Sequence, residues 1–326
     1  MSRAESPGEF AFELALCSHL EATTEWVLGR QLGAAVDRSG RRIVDVVGVV
    51  PGPEFDDRAR ITDRRIPIRA IESDVGVGEA VSRYRALRES WGLTDSVVER
   101  AVDVGFFELE RRESRPYLRQ TTQYPGEWFA GLVGIENKPN LGDPGALSRQ
   151  LRTDVSLGLF EEVILATESY VTRAHLNRIP REVGVWRFDP VTGEKDVIRE
   201  PTSLSTDDAG IELVDQRPLR TDVAVVDPDA KARARRRIAE RAYGKGWRAY
   251  DFPGCVHAEA TPDGRPYCAQ FDCVVKASRR CGSGCAAYES SPKPDVDVER
   301  LRDERTPWRR DPPGVVRRQS GLDRFG

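Results

Sequence analysis

Lysine is nearly absent from this chain, with 6 residues against 44 arginines. Methionine occurs once and histidine three times. The preference for arginine is the mark of a GC-rich genome, and it makes each lysine worth placing. No Walker motif and no Gly-x-Gly-x-x-Gly occurs, so ATP or NAD use has no support. His175 sits in no Ser–His–Asp pattern. No stretch approaches the length of an apolar membrane span. The opening residues, Met1-Ser2-Arg3-Ala4-Glu5-Ser6-Pro7, are polar and do not read as a signal peptide. These absences lead to the expectation of a cytoplasmic protein without membrane contact. In that setting cysteines serve as metal ligands or buried thiols more often than as disulfides. The net charge of -3 supplies no overall basic footprint for nucleic acid, although a local patch would suffice.

The 326 residues can bury a sizeable core. Residues 8–33 read as one helix, with Phe12, Leu16 and Leu20 at four-residue spacing and Trp26 and Val27 continuing the stripe. Arg41 to Val50 holds six Val or Ile in ten and reads as a strand carrying Asp45. Residues 54–125 differ in character. They suggest helices near 78–90 and 94–104, then a hairpin through Phe106–Glu110 and Tyr117–Thr121. That order fits a winged helix; a plain α/β insertion is the other reading. The apolar run Trp128–Val133 leads into Gly134-Ile135-Glu136-Asn137-Lys138-Pro139, a buried strand with an acid and an amine at its tip. Period-two geometry would put both on one face. A helix over 145–158, a strand over 162–167, a helix over 169–178 and a strand over 183–188 follow. Residues 200–227 read as loop, 228–243 as a basic helix, 255–285 as a cysteine-rich module, and the tail from Ser290 as disordered. The expected organisation is a core from 8–53 and 126–200, an insertion over 54–125, and a C-terminal module over 228–289. The expected class is α/β with a mixed sheet.

Glu13, Asp45, Glu136 and Lys138 form the first constellation. Carboxylates on neighbouring strands suit Mg²⁺, a hard ion that takes one or two carboxylates, several waters and substrate phosphate. A nearby lysine would position the attacking water. The pieces Phe12-Glu13-Leu14, Ile43-Val44-Asp45 and Ile135-Glu136-Asn137-Lys138, followed by a helix carrying Gln150, resemble the PD-(D/E)xK nuclease superfamily in its RecB-like branch. Val44 stands where that family often has proline, and 90 residues separate Asp45 from Glu136. The resemblance implies a restriction-endonuclease-like sheet flanked by helices. It implies Mg²⁺ or Mn²⁺ on Asp45 and Glu136, Lys138 beside the nucleophile, Glu13 and Gln150 assisting, and DNA as partner. Glu21 and Glu25 rival Glu13 on the same helix. The structural alternative is a Glu136–Lys138 ion pair with Asp45 a satisfied core acid.

The second constellation is Cys255, Cys268, Cys273, Cys281 and Cys285, with His257 beside the first. Four thiolates, or three with His257, would close a zinc site, and four would equally suit a 4Fe-4S cluster. Spacing leaves the ligand set open; Cys255, Cys268, Cys281 and Cys285 are favoured, with Cys273 spare. Some RecB-like nucleases draw one cluster cysteine from before the core, a role open to Cys17. Its place inside a helix favours a buried small hydrophobe instead. Arg111, Arg112, Arg115 and Arg119, and the basic helix around residues 231–241, are candidate phosphate contacts. The sequence thus points to a metal-dependent deoxyribonuclease. The alternatives are a non-catalytic nucleic-acid-binding protein on a nuclease-like core, and a metal-stabilised scaffold.

Overall fold

The computed structural model describes residues 7–36, 42–142, 146–217 and 219–314. The polar N-terminus through Ser6, Arg41 of the expected strand, Gly145 of the expected helix and the end of the tail lie outside the described residues. The chain begins α1 (Pro7–Thr23), β1 (Val27–Gly33), β2 (Ile43–Pro51), α2 (Phe55–Ala59), α3 (Ile68–Ile71) and β3 (Val81–Ser82). It continues α4 (Arg83–Glu89), α5 (Asp95–Asp103), β4 (Phe107–Arg112), β5 (Arg115–Gln120), β6 (Phe129–Asn137) and α6 (Leu147–Leu157). Next come β7 (Glu162–Thr167), α7 (Arg173–Leu176), β8 (Gly184–Phe188), β9 (Lys195–Arg199), β10 (Gly210–Arg217) and β11 (Arg220–Val226). Last are α8 (Pro228–Lys245), β12 (Ala258–Ala260), β13 (Pro266–Cys268), β14 (Cys273–Val274), α9 (Ala277–Arg280) and α10 (Val298–Arg305).

Two units emerge: residues up to 50 with 131–307, and 51–130 with the chain from Trp308. The first is an α/β unit on a mixed sheet ordered β1-β2-β6-β7-β8-β9. β1 and β2 run antiparallel, β6, β7 and β8 run parallel, and β9 returns antiparallel. The Val- and Ile-rich strands β2, β6 and β7 pack α1 through Phe12, Leu16, Leu20, Val46, Val133, Ile135 and Ile164, all buried. Burial of such side chains contributes about 1.5–3 kcal/mol each. α8 lies so close to β1 that a Cβ on Gly29 would stand 2.7 Å from the Cα of Ala242, so that position needs glycine.

The expected helix over 8–33 ends at Thr23. Thr23 and Thr24 hydroxyls take the carbonyls of His19 and Leu20 at 2.8 and 2.7 Å, ending the helix with side-chain bonds. Residues 27–33 then pair with β2, a tertiary partnership that overrides the helix-compatible Leu28–Leu32 spacing. The expected loop over 200–227 contains the β10–β11 hairpin, where Ile211 and Leu213 flank Glu212 and Val223 and Val225 flank Ala224. The tail is ordered as far as it is described. It carries α10, where the buried Arg302 donates to the Tyr243 carbonyl at 2.5 Å. No helix of the described residues is long and apolar enough to cross a membrane.

In the second unit, α3, α4 and α5 accompany an antiparallel sheet ordered β3-β5-β4. Thr94 caps α5 by accepting from Val97 N. Glu113 and Ser114, both at positive φ, make the two-residue turn between β4 and β5. The segment's entry and exit are tied together. Gly52 N donates to the Trp128 carbonyl at 2.9 Å, and Glu127 N donates to Glu54 Oε2 at 2.7 Å. A Cβ on Gly52 would sit 2.2 Å from the Glu127 carbonyl oxygen.

Candidate functional site

The β1-β2-β6 end of the sheet gathers acids from three elements. Glu13 comes from α1, Asp45 from β2 and Glu136 from β6. Glu13 and Glu136 are buried and Asp45 is half-buried. Gln31 links the first two: its Nε2 donates to Glu13 Oε2 at 2.9 Å and to Asp45 Oδ1 at 3.2 Å. It does so with φ at 54°, a left-handed backbone unusual for a residue with a Cβ. Asn137 links α1 and β2 to β6. Its side chain donates to Glu13 Oε2 at 2.7 Å and its backbone N to Asp45 Oδ2 at 3.0 Å. Arg30 Nε completes the Glu13 shell at 2.9 Å.

Glu136 belongs to a second, buried cluster. Arg42 contacts Glu136 Oε1 at 2.7 Å and also holds Asp154 of α6 through a bidentate pair, one arm of which is 2.7 Å. Burial first, then the charge of Asp45, pushes the Glu136 carboxyl up to about 8 in spite of Arg42. Burial also raises Asp154, while the same two acids hold Arg42 firmly charged.

Lys138 lies one residue past the end of β6 and pairs with Glu9 of α1 at 3.1 Å. The same-face expectation for Glu136 and Lys138 therefore fails: strand alternation ends at Asn137, and Glu136 engages Arg42 while Lys138 engages Glu9 of α1. Nor do they pair with one another. Gln150 is half-buried on α6, one turn before Asp154. Asp154, one turn further on, meets Glu136 through Arg42. Of the rivals to Glu13, Glu21 is gripped by Arg248 at 2.5 Å and by Trp247 Nε1 at 2.8 Å, and Glu25 is exposed. Sequence reasoning missed Glu9, Arg30, Gln31, Arg42, Asn137 and Asp154.

The cysteine-rich segment forms a small sheet of β12, β13 and β14. Cys255, Cys268, Cys273, Cys281, Cys285 and His257 line one cavity of about 610 Å³. Every cysteine is a free thiol. Cys17 is fully buried in the α1 core and is not among the cavity's lining residues. Among the described residues, no three His, Cys, Asp or Glu side chains form a ready-made metal-holding group, at the acids or at the cysteines.

The basic surfaces are largely engaged. On α8, Lys231 donates to the Asp208 carbonyl at 2.8 Å, Arg235 meets Glu161, and Lys245 donates to the Arg30 carbonyl at 2.6 Å. In the β4–β5 hairpin, Arg119 pairs with Glu108 and Arg112 with Glu110, while Arg111 and Arg115 are exposed.

A family model covers residues 27–290, most of the chain. The chain belongs to DUF5787, a family of unknown function. The matched span takes in Asp45, Glu136, Lys138, Gln150 and all five cavity cysteines, and begins after Glu13. No curated protein and no solved structure matches the chain.

Proposed function

We propose that this DUF5787 member is a divalent-metal-dependent nuclease that hydrolyses DNA phosphodiester bonds on a restriction-endonuclease-like core of the PD-(D/E)xK type. The observation that carries the reading is the meeting of Glu13 and Asp45 across α1 and β2, bridged by Gln31 and Asn137, with Glu136 of β6 close enough to feel the charge of Asp45. Burial, and after it the charge of Asp45, raises the Glu136 carboxyl to about 8. An oxygen-only pair of this kind suits Mg²⁺ or Mn²⁺, which needs one or two carboxylates and takes the rest of its shell from water and phosphate. Asp45 and Glu136 would hold the ion, which when bound supplies Lewis-acid stabilisation of a phosphoryl oxygen. Glu136 would hold the ion in its ionised form. Glu13 fixes the two amides that orient Asp45 and the end of β6. Lys138, steadied by Glu9, offers its ammonium to the phosphate or the attacking water. Gln150, on the same helix as Asp154, is read as an assisting residue.

A second reading rests on Arg42. A guanidinium seated on Glu136 Oε1 is the arrangement of a closed structural network, and it favours a nucleic-acid-binding protein without catalysis on a nuclease-like core. The helix, strand, helix, helix, hairpin order of the second unit agrees with a winged helix. Its α5, however, exposes Asp95, Glu99 and Asp103, the first two tied up with Arg83, so binding would fall to the Arg111 and Arg115 edge.

The test is cleavage of single- and double-stranded DNA with Mg²⁺ or Mn²⁺. Lys138→Ala and Asp45→Asn are expected to lower the rate about 10²–10⁴-fold while leaving the fold intact. Cleavage unchanged in both variants overturns the catalytic reading. Metal-independent DNA binding without cleavage favours the second one.

A further inference from the structure

The cysteine cavity is not used by the acidic site, and it stands in a part of the chain that lacks the usual means of holding its shape. From residue 276 to residue 290 no side chain is buried. Between 254 and 275 the buried residues are Cys255, Gly264, Pro266, Cys268 and Val275, so two of the five are cysteines. Segments this poor in apolar burial are held by disulfides or metals, and every cysteine here is a free thiol.

The sulfurs come from three places that converge. Cys255 bridges to Ser290 and so joins the start of the segment to its end. Cys268 and Cys273 face one another across the β13–β14 ladder. Cys281 and Cys285 flank a Gly-Ser-Gly turn in which Gly282 has φ of 137° and Cβ atoms added at Gly282 or Gly284 would meet nothing within 4 Å. No neighbour crowds the turn at those glycines, which leaves room for its two thiols to complete a ligand group that the described residues do not present ready-made.

We propose that the cavity is a structural zinc site, with Zn²⁺ held by the thiolates of Cys255, Cys268, Cys281 and Cys285. Cys255 and Cys268 are the two buried sulfurs, and Cys281 and Cys285 are the pair on the adjustable turn. Cys273, the cross-strand neighbour of Cys268, and His257 line the wall without ligating. Soft thiolates in a tetrahedral set select Zn²⁺ among abundant divalent ions, and binding releases the thiol protons. The ion is the core that residues 276–290 otherwise lack. This site does not depend on the nuclease reading.

The experiment is elemental analysis of the purified full chain, with differential alkylation of its thiols read by mass spectrometry. About one Zn²⁺ per chain is expected. Cys255→Ser, Cys268→Ser, Cys281→Ser and Cys285→Ser should each lose at least about nine-tenths of it, while Cys273→Ser and His257→Ala keep it. Should the serine variants fail to fold, the wild-type protein answers alone. In the metal-loaded state Cys273 is alkylated, and Cys255, Cys268, Cys281 and Cys285 are protected. A chelator exposes those four and leaves Cys17 protected in the helix core. Zinc retained in all six variants, Cys281 and Cys285 alkylated as fast as Cys273 before chelation, or iron with acid-labile sulfide in place of zinc would overturn the proposal.

Discussion

The acidic site and the cysteine cavity are held in opposite ways. Around Glu13, Asp45 and Glu136 the contacts over-determine the geometry: two amides, two arginines and a backbone N–H fix the three carboxylates. Around the cavity, six potential ligands stand on short strands and turns with almost no buried apolar neighbour. The first region is ordered by the folded chain itself and uses that order to keep like charges close. The second, on the zinc proposal, takes its order from a bound ion. A site with a built-in framework tolerates loss of a ligand; a site without one does not.

Four perturbations bear on this contrast. The largest effect is expected from Arg42→Ala, which strands the buried Glu136 and Asp154 without their cation. Loss of one partner of a buried ion group costs about 3–5 kcal/mol, readable as a lower urea midpoint. A variant as stable as the parent would mean the framework is looser than its contacts imply.

The next is a pH effect. The folded state raises the Glu136 pKa to about 8, well above an unfolded carboxyl, so the native chain binds the extra proton. The contribution of this group is therefore most favourable below the unfolded pKa and is lost as pH rises toward 8, at up to about 1.4 kcal/mol per pH unit. Glu136→Gln should flatten that slope in urea titrations across the same window. Saturating Mg²⁺ should flatten it too, by favouring the ionised form.

Gln31→Ala removes two charge-assisted hydrogen bonds while keeping the left-handed backbone, and a loss of about 1–3 kcal/mol is expected. Gln31→Gly should recover part of that loss through relief of the φ strain. If the two variants unfold at the same denaturant concentration, the strain is not stored there. The smallest effect belongs to the other region. Gly284→Ala, where the new methyl meets nothing, should change stability by less than about 0.5 kcal/mol.

Legibility of the sequence followed the range of each interaction. β2, β6, α6, β7 and β8 were readable because Val and Ile runs and the Leu147–Leu151–Leu159 spacing are local patterns. β1 was hidden because Leu28 and Leu32 are spaced as helical neighbours, and only pairing with β2 decides the matter. Arg30 and Gln31 were lost from the site with it. Asp45, Glu136 and Lys138 drew notice through strand position and the scarcity of lysine. Their partners did not: Arg42 and Asp154 meet across 112 positions, and Asn137 and Glu13 across 124. Nothing local marks such pairs, although an arginine just before a buried strand is a weak signal that it will need an acid. The cysteines were legible as a group from spacing alone, whereas the lack of a core around them required the fold.

Finally, the tie between Gly52 and Trp128 changes how the sheet can assemble. β2 and β6 are neighbours, yet a long excursion separates Asp45 from Asn137, and closing a flexible loop of that length slows strand pairing. Once residues 51–130 have folded, their pinned ends present β2 and β6 as a short turn would. The closure entropy that remains is then smaller by about 2–3 kcal/mol than for an open chain. The inserted unit, once folded, therefore lowers the cost of bringing the acids on β2 and β6 together.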